Sequence, residues 1–236
     1  MALVESLIQD GWLKTPQIIS AFRKVQRVDF LPDHLKELAE LNEALPIGGG
    51  QTISQPLVVA FMLELLQPET DDKVLDVGSG SGWTSALLAH IVSGGELKSK
   101  IIPHPFSKGE GQKGTSSSQA RAKISGRVIA IEIVPELLEF GKQNVSRYNF
   151  IEKGIVKFIC ADGSKGYPGE APFDKILASA TAQFVPQSWK EQLKTGGRIV
   201  APIGSSIWLL NKKTEKKFEE IEYPGFVFVP LITNNK

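Results

Sequence analysis

Three carboxylates stand at or near the ends of three apolar runs: Asp76 in "VLDVGSGSGW", Glu132 in "RVIAIE" and Asp162 in "VKFICADGS". The first run continues into Gly78, Gly80 and Gly82, a bare backbone that a ligand can approach closely. An acid at a strand end can accept two ribose hydroxyls, a role open to Glu132, or an adenine amino group, a role open to Asp162. Each signal alone has a plainer reading, since Asp162-Gly163 is also an ordinary turn and Glu132 could be a solvated charge. Three such acids after three successive runs are more specific, and together they describe a site for a nucleoside-bearing cofactor. The dinucleotide fingerprint G-x-G-x-x-G is not met, because Trp83 stands at the third glycine.

A second stretch carries different chemistry. In "LPIGGGQTISQP", three consecutive glycines precede a polar run and the Ser54 hydroxyl, and Pro56 then opens the apolar segment "PLVVAFMLELL". Two readings of Ser54 stand side by side. It could cap the Pro56 helix, worth about 1 kcal/mol, or it could belong to a binding loop.

These residues need a frame. The first 70 residues read as helical, with Thr15 as N-cap and Pro16 at the first position of "TPQIISAFRKVQ", a further helix from Asp33, and one from Pro56. From Lys73 onward, short apolar runs alternate with amphipathic segments. "KVLDV", "RVIAIEI", "GIVKFICAD", "FDKILASA" and "RIVAPI" read as strands. "SGWTSALLAHIV", with Leu87, Leu88 and Ile91 on one face, "VPELLEFGKQNVSRY" and the glycine-closed "VPQSWKEQLKTGG" read as helices. Such alternation predicts an α/β fold built on a doubly wound, mainly parallel sheet. "SIWLLNKK" and "KFEEIEY" predict an antiparallel edge hairpin whose turn holds Lys212, Lys213, Lys216 and Lys217. The expected organisation is an N-terminal helical cap with the glycine loop over 1–70 and a cofactor-binding domain over 71–236. Residues 93–126, rich in Gly, Ser and Lys, read as a flexible insertion or, alternatively, as a basic flap over a ligand or an acidic partner. Removing them brings Glu132 back to the usual spacing of about 20 residues from the glycines.

Composition narrows the function classes. The formal net charge is +1 over 236 residues, which gives no global sign of a nucleic-acid or membrane partner. No apolar run reaches the roughly 18 residues of a membrane span. The N-terminus has no basic n-region and does not read as a signal peptide. Cys160 is the sole cysteine, reads as a small core residue, and excludes an internal disulfide. A cytoplasmic monomer is the expectation. His34, His90 and His104 lack metal-ligand spacing, so no metal is expected.

The G-x-G-x-G spacing beside Asp76 resembles motif I of S-adenosylmethionine-dependent methyltransferases, and "LPIGGGQTISQP" is similar to the signature of protein-L-isoaspartate O-methyltransferases. The resemblance continues in order through "VQRVDFLP", "IEIVPELLEF", "ADGSKGYPGEAPFDKILASA", "VPQSWKEQLKTGGRIVAPIG" and "FVPL". It implies a Rossmann-like fold and an enzyme that binds S-adenosyl-L-methionine and releases S-adenosyl-L-homocysteine. The methyl group would pass to the free α-carboxylate of L-isoaspartyl residues in damaged proteins, and the ester would then close to a succinimide. In that reading Ser54 is the active-site hydroxyl. Ile47, Gly48, Gly49, Gln51, Thr52 and Ile53 would line the substrate side, closed by Val229, Pro230 and Leu231. The cofactor would meet Asp76, Val77, Gly78, Ser79, Gly80, Gly82 and Trp83, then Glu132, Ile133, Asp162 and Gly163. The glycines suit a substrate that is itself a backbone.

The chain departs from the family pattern at Glu40, Asn42 and Ile133 and in "ASATAQFVP". Two rivals carry forward: a methyltransferase acting on another acceptor, such as a nucleic-acid base, and a non-catalytic protein that keeps the cofactor pocket.

Overall fold

The computed structural model describes residues 2–95 and 126–234. The basic stretch within the expected 93–126 insertion, with His104, lies outside them. Helices α1 (Leu3–Gln9) and α2 (Pro16–Lys24) lead through 3-10 turns at Arg27–Phe30 and Asp33–Leu38 to a small hairpin, β1 (Leu45–Gly48) and β2 (Gln51–Ile53). Helix α3 (Pro56–Leu66) follows, then β3 (Lys73–Val77), α4 (Trp83–Val92), β4 (Arg127–Glu132), α5 (Pro135–Ser146), β5 (Val156–Cys160), β6 (Phe173–Ala178) and α6 (Gln187–Gln192). Strands β7 (Leu193–Ile203), β8 (Ser206–Lys212) and β9 (Phe218–Pro224) complete the sheet.

The main sheet has seven strands in the order β5-β4-β3-β6-β7-β8-β9. Pairings from β5 through β7 are parallel, and β8 and β9 are antiparallel, as the edge hairpin predicted. Successive strands leave β3 in opposite directions, β4 to one side and β6 to the other. That switch point opens a crevice at the carboxyl ends of the strands.

Strand residues alternate between two apolar layers. Val74, Val128 and Ala130 face a large cluster built with α1 to α5, whereas Leu75, Ile129 and Ile176 pack under Trp189 of α6. The N-terminal helices share the first cluster with α4, since Leu7, Ile18 and Leu63 belong to it together with Leu87 and Ile91. This explains why α4 is buried on every side rather than on the single face that its sequence suggests: α2 covers its outer surface. His90 on α4 is buried there, with Nε2 3.1 Å from Ser20 Oγ.

The helix expected from Asp33 is a 3-10 turn over Asp33–Leu38, and four other local readings change. Thr15 does not cap α2; its hydroxyl donates to Glu64 Oε2 at 2.6 Å, tying α2 to α3. The helix expected over "VPQSWKEQLKTGG" ends at Gln192, and "LKTGG" already belongs to β7. Its last carbonyls are met by Lys212, whose Nζ donates to Lys190 O at 3.1 Å and Leu193 O at 2.7 Å, so this lysine is buried and not part of a solvated turn. Cys160 is exposed, because β5 is the edge of the sheet and its last residue faces outward.

Candidate active site

The crevice at the switch point is walled by the glycine loop after β3, the ends of β4 and β6, and residues 51–54 of the N-terminal hairpin. Residues 229–232 close it from the C-terminal side. The structure therefore brings the two chemically distinct stretches of the sequence to one cavity.

The glycine loop hangs from the end of β4. Gly78 N and Ser79 N donate to Ile131 O at 2.9 and 3.0 Å, and Gly80 N donates to Glu132 Oε2 at 2.9 Å. The other Glu132 oxygen accepts from Ile133 N and Val134 N at 2.9 and 3.0 Å, so backbone donors fix the carboxylate in place. Gly82 then turns into α4 with φ +83°, and a Cβ there would lie 2.9 Å from Gly141 O. Gly141 in turn lets α5 approach, since a Cβ on it would stand 2.8 Å from Gly80 O. Asn144 of α5 adds a hydrogen bond from Nδ2 to Ser81 O at 3.1 Å. Gly141 was not among the residues expected from sequence, although a glycine inside a helical pattern is itself a signal.

Behind the loop, Asp76 is fully buried. Its Oδ2 accepts from Ser85 Oγ at 2.6 Å and Thr84 Oγ1 at 3.1 Å, while Oδ1 has no partner among the described residues. Burial raises its pKa to about 6, and the two hydroxyls pull it back only in part. Ser79 Oγ is buried and likewise without a partner. Buried polar atoms are nearly always paired, so these two mark a place for a polar, cationic ligand group. Asp162 caps the turn after β5, with Oδ1 accepting from Ser164 N and Oγ at 3.0 and 2.6 Å and Oδ2 from Asn234 N at 2.9 Å. Its neighbours Ala161 and Gly163 line the cavity, as do Val77 and Ile133, whereas the Asp76 and Asp162 side chains sit behind the wall.

On the opposite side, β1 and β2 pair through Leu45↔Ile53, Pro46↔Thr52 and Gly48↔Gln51. Gln51, Thr52, Ile53 and Ser54 face the cavity. Ile47 is buried against the glycine loop, 3.3 Å from where a Gly80 Cβ would be, and Gly48 to Gly50 form the exposed tip. Ser54 does not cap α3. Asn42 does, its Oδ1 accepting from Leu57 N at 2.9 Å, and the Ser54 hydroxyl has no protein partner among the described residues. Glu40 also has a structural role, accepting from Leu3 N at 2.9 Å. Both departures from the family pattern thus build the cap rather than the site.

The C-terminal segment is pinned by Thr181, which donates from N to Val229 O and accepts from Leu231 N, both at 2.8 Å. Val229, Pro230 and Leu231 line the cavity as expected, joined by Ile232, Ser179 and Ala180. Trp83 contributes to the wall while its ring packs edge-to-face on Phe22 at 5.6 Å.

A sequence model of protein-L-isoaspartate(D-aspartate) O-methyltransferases matches residues 1–102 and 109–236, so only 103–108 of the stretch read as an insertion fall outside it. Protein-L-isoaspartate O-methyltransferase of Methanopyrus kandleri is 38% identical over 98% of this chain and 89% of its own. The enzyme of the same name from Thermococcus sibiricus is 39% identical over 98% and 92%. Among solved structures, one assigned as a protein-L-isoaspartate O-methyltransferase of Plasmodium falciparum, in complex with S-adenosyl-L-homocysteine, superposes with a TM-score of 0.78 at 21% identity, covering 98% of this chain and 97% of that one. The order of the motifs, the shared cavity and an end-to-end match at this level of identity lead to one assignment: the chain belongs to the protein-L-isoaspartate(D-aspartate) O-methyltransferase family.

Proposed function

We propose that the protein methylates the α-carboxylate of L-isoaspartyl residues, using S-adenosyl-L-methionine. The observation that carries this reading is the placement of an unpartnered hydroxyl, Ser54, across one cavity from a glycine loop backed by two unpartnered buried polar atoms. When bound, the cofactor supplies a sulfonium-activated methyl group. Ser79, which lines the cavity, would meet its ammonium end, and the Asp76 charge behind the loop, present above about pH 6, would attract it. The Glu132 carboxylate, already oriented by backbone N–H groups, keeps about one lone-pair site, on Oε2, for a ribose hydroxyl. Ala161, Gly163 and the Asp162 turn would receive the base.

The acceptor needs no general base, because a carboxylate is ionised at neutral pH. What remains for the protein is alignment, which at best lowers a barrier by about 7–11 kcal/mol. Ser54 Oγ donates to one carboxylate oxygen and points the other at the methyl group. The exposed tip Gly48–Gly50 leaves room for the main chain of a substrate of any sequence. A base acceptor is not favoured: among the described residues of the wall Trp83 is the one aromatic, and it is engaged with Phe22. The single cysteine suits a reducing cytoplasm, and the net charge of +1 gives no global sign of a nucleic-acid or membrane partner.

Two peptides identical except for L-isoaspartate or L-aspartate at one position test the reading. Incubated with the protein and methyl-labelled cofactor, the isoaspartyl peptide alone should gain base-labile methyl ester. Equal labelling of both, or of neither while the cofactor binds, would refute it.

A further inference from the structure

Arg27 stands in "VQRVDFLP", a stretch that the chemistry above leaves without a role. It is buried, and its guanidinium makes no ion pair with a carboxylate among the described residues. Instead Nη1 donates to Ala39 O at 3.2 Å and Leu41 O at 3.0 Å, and Nη2 donates to Glu43 O at 2.7 Å and Ser54 O at 3.4 Å. Glu43 lies just before β1 and Ser54 just after β2, so one side chain holds both stems of the hairpin. The guanidinium also lies 5.6 Å from the centre of the Trp83 ring, the residue that opens α4 and walls the cofactor side. Burial lowers its pKa to about 10, yet it stays charged at neutral pH. Apart from the attraction of the Glu40 carboxylate, this buried cation is offset by carbonyl dipoles, a costly way to join two loops, and its position between the two halves of the cavity gives a reason for it.

We propose that Arg27 is a positioning residue for methyl transfer: it locks both stems of the β1–β2 hairpin to the start of α4 and, through the Ser54 carbonyl, sets where the Ser54 hydroxyl meets the substrate carboxylate. A lysine cannot replace it, because one compact ammonium with three donors does not span four carbonyls as a planar fork does. Neither can a neutral side chain stack over the indole with the same attraction. The proposal rests on the reading of Ser54 as the group that orients the substrate.

The test is a double-mutant cycle of Arg27→Lys with Ser54→Ala, read as kcat and KM on an isoaspartyl peptide and as Kd for S-adenosyl-L-homocysteine. Arg27→Gln is carried in parallel, and circular dichroism gives the folded fraction to which rates are normalised. Displacement of the hydroxyl by part of an ångström should lower kcat/KM about tenfold in Arg27→Lys, with Kd changed less than about threefold. On the Ser54→Ala background the same substitution should cost less than about twofold, because the group it positions is gone. An equal loss on both backgrounds overturns the proposal and leaves Arg27 as scaffold, as does failure of both variants to fold. If Ser54→Ala alone is harmless, the reading of Ser54 falls first and this proposal with it.

Discussion

Replacing Gly141 by alanine sets two physical effects against each other. Gly141 lies inside α5, where alanine should stabilise the helix by about 1 kcal/mol on propensity alone. The new Cβ would stand 2.8 Å from Gly80 O, 3.2 Å from Phe158 Cε1 and 3.4 Å from Gly82 N. Two of these are backbone atoms of the cofactor loop, which is itself tied to Glu132 through Gly80 N. Overpacking of this kind costs roughly 1–3 kcal/mol, so the clash should outweigh the propensity gain and leave a net loss of up to about 2 kcal/mol. If the loop yields by shifting, the Gly80–Glu132 bond is disturbed and cofactor affinity should fall on the order of tenfold, which is about 1.4 kcal/mol. Urea unfolding of the ligand-free protein gives the first quantity, and calorimetric titration with S-adenosyl-L-homocysteine gives the second. A higher urea midpoint with unchanged affinity would mean that propensity governs the position, and would refute the close approach of α5 to the loop as the reason for glycine.

Ser54→Ala should lower kcat/KM by about 10- to 100-fold, the worth of one hydrogen bond to a charged group, with the melting temperature unchanged because the hydroxyl has no protein partner to lose; a drop in melting temperature with full activity per folded molecule would count against it. Asp76 holds its proton up to about pH 6 in the fold and to 3.8 in the unfolded chain. Stability should therefore fall as pH rises through that window, by about 3 kcal/mol, and then level off. Cofactor affinity should rise over the same range as the carboxylate ionises, and Asp76→Asn should flatten both profiles in urea and calorimetric titrations. Replacing residues 96–125 with a short Gly/Ser linker should leave cofactor Kd within about twofold, since the flanking Gly95 and Gly126 lie beside the C-terminal end of α4 and the start of β4, at the opposite end of the sheet from the cavity; a large loss in calorimetry would place the segment in the site.

Much of this site is local in sequence and was readable there. The glycines after "VLDV" and the acids after β4 and β5 announce a cofactor crevice because a strand end, a turn and a helix start are contiguous in the chain. The Ser54 stretch was readable as a motif, but its choice between cap and site depended on Asn42, which takes the capping role from the far side of a hairpin. Gly141 and Arg27 were missed for the same reason, since what they serve is a backbone segment remote in sequence. Lys212 and Cys160 were misread because burial depends on strand order. β5 is an edge, whereas the end of β8 lies under the carbonyls of α6, and nothing in the composition of either strand says so.

The shared apolar layer of α1 to α4 bears on how acceptor choice can change over evolutionary time. A hybrid that exchanged residues 1–70 for those of another methyltransferase would have to refit Leu7, Ile18 and Leu63 against α4, and would disrupt the interior before it altered selectivity. The hairpin tip is under no such constraint: a Cβ at Gly49 would meet only Leu137 at 3.9 Å and Val134 at 4.0 Å, and one at Gly48 or Gly50 would meet nothing within 4 Å. Gly48, Gly49 and Gly50 nonetheless have φ of 98°, 57° and 70°, which disfavours other residues in the present turn, so new acceptors are reached most easily through the length of this tip, while the helices beneath it hold the inherited interior constant.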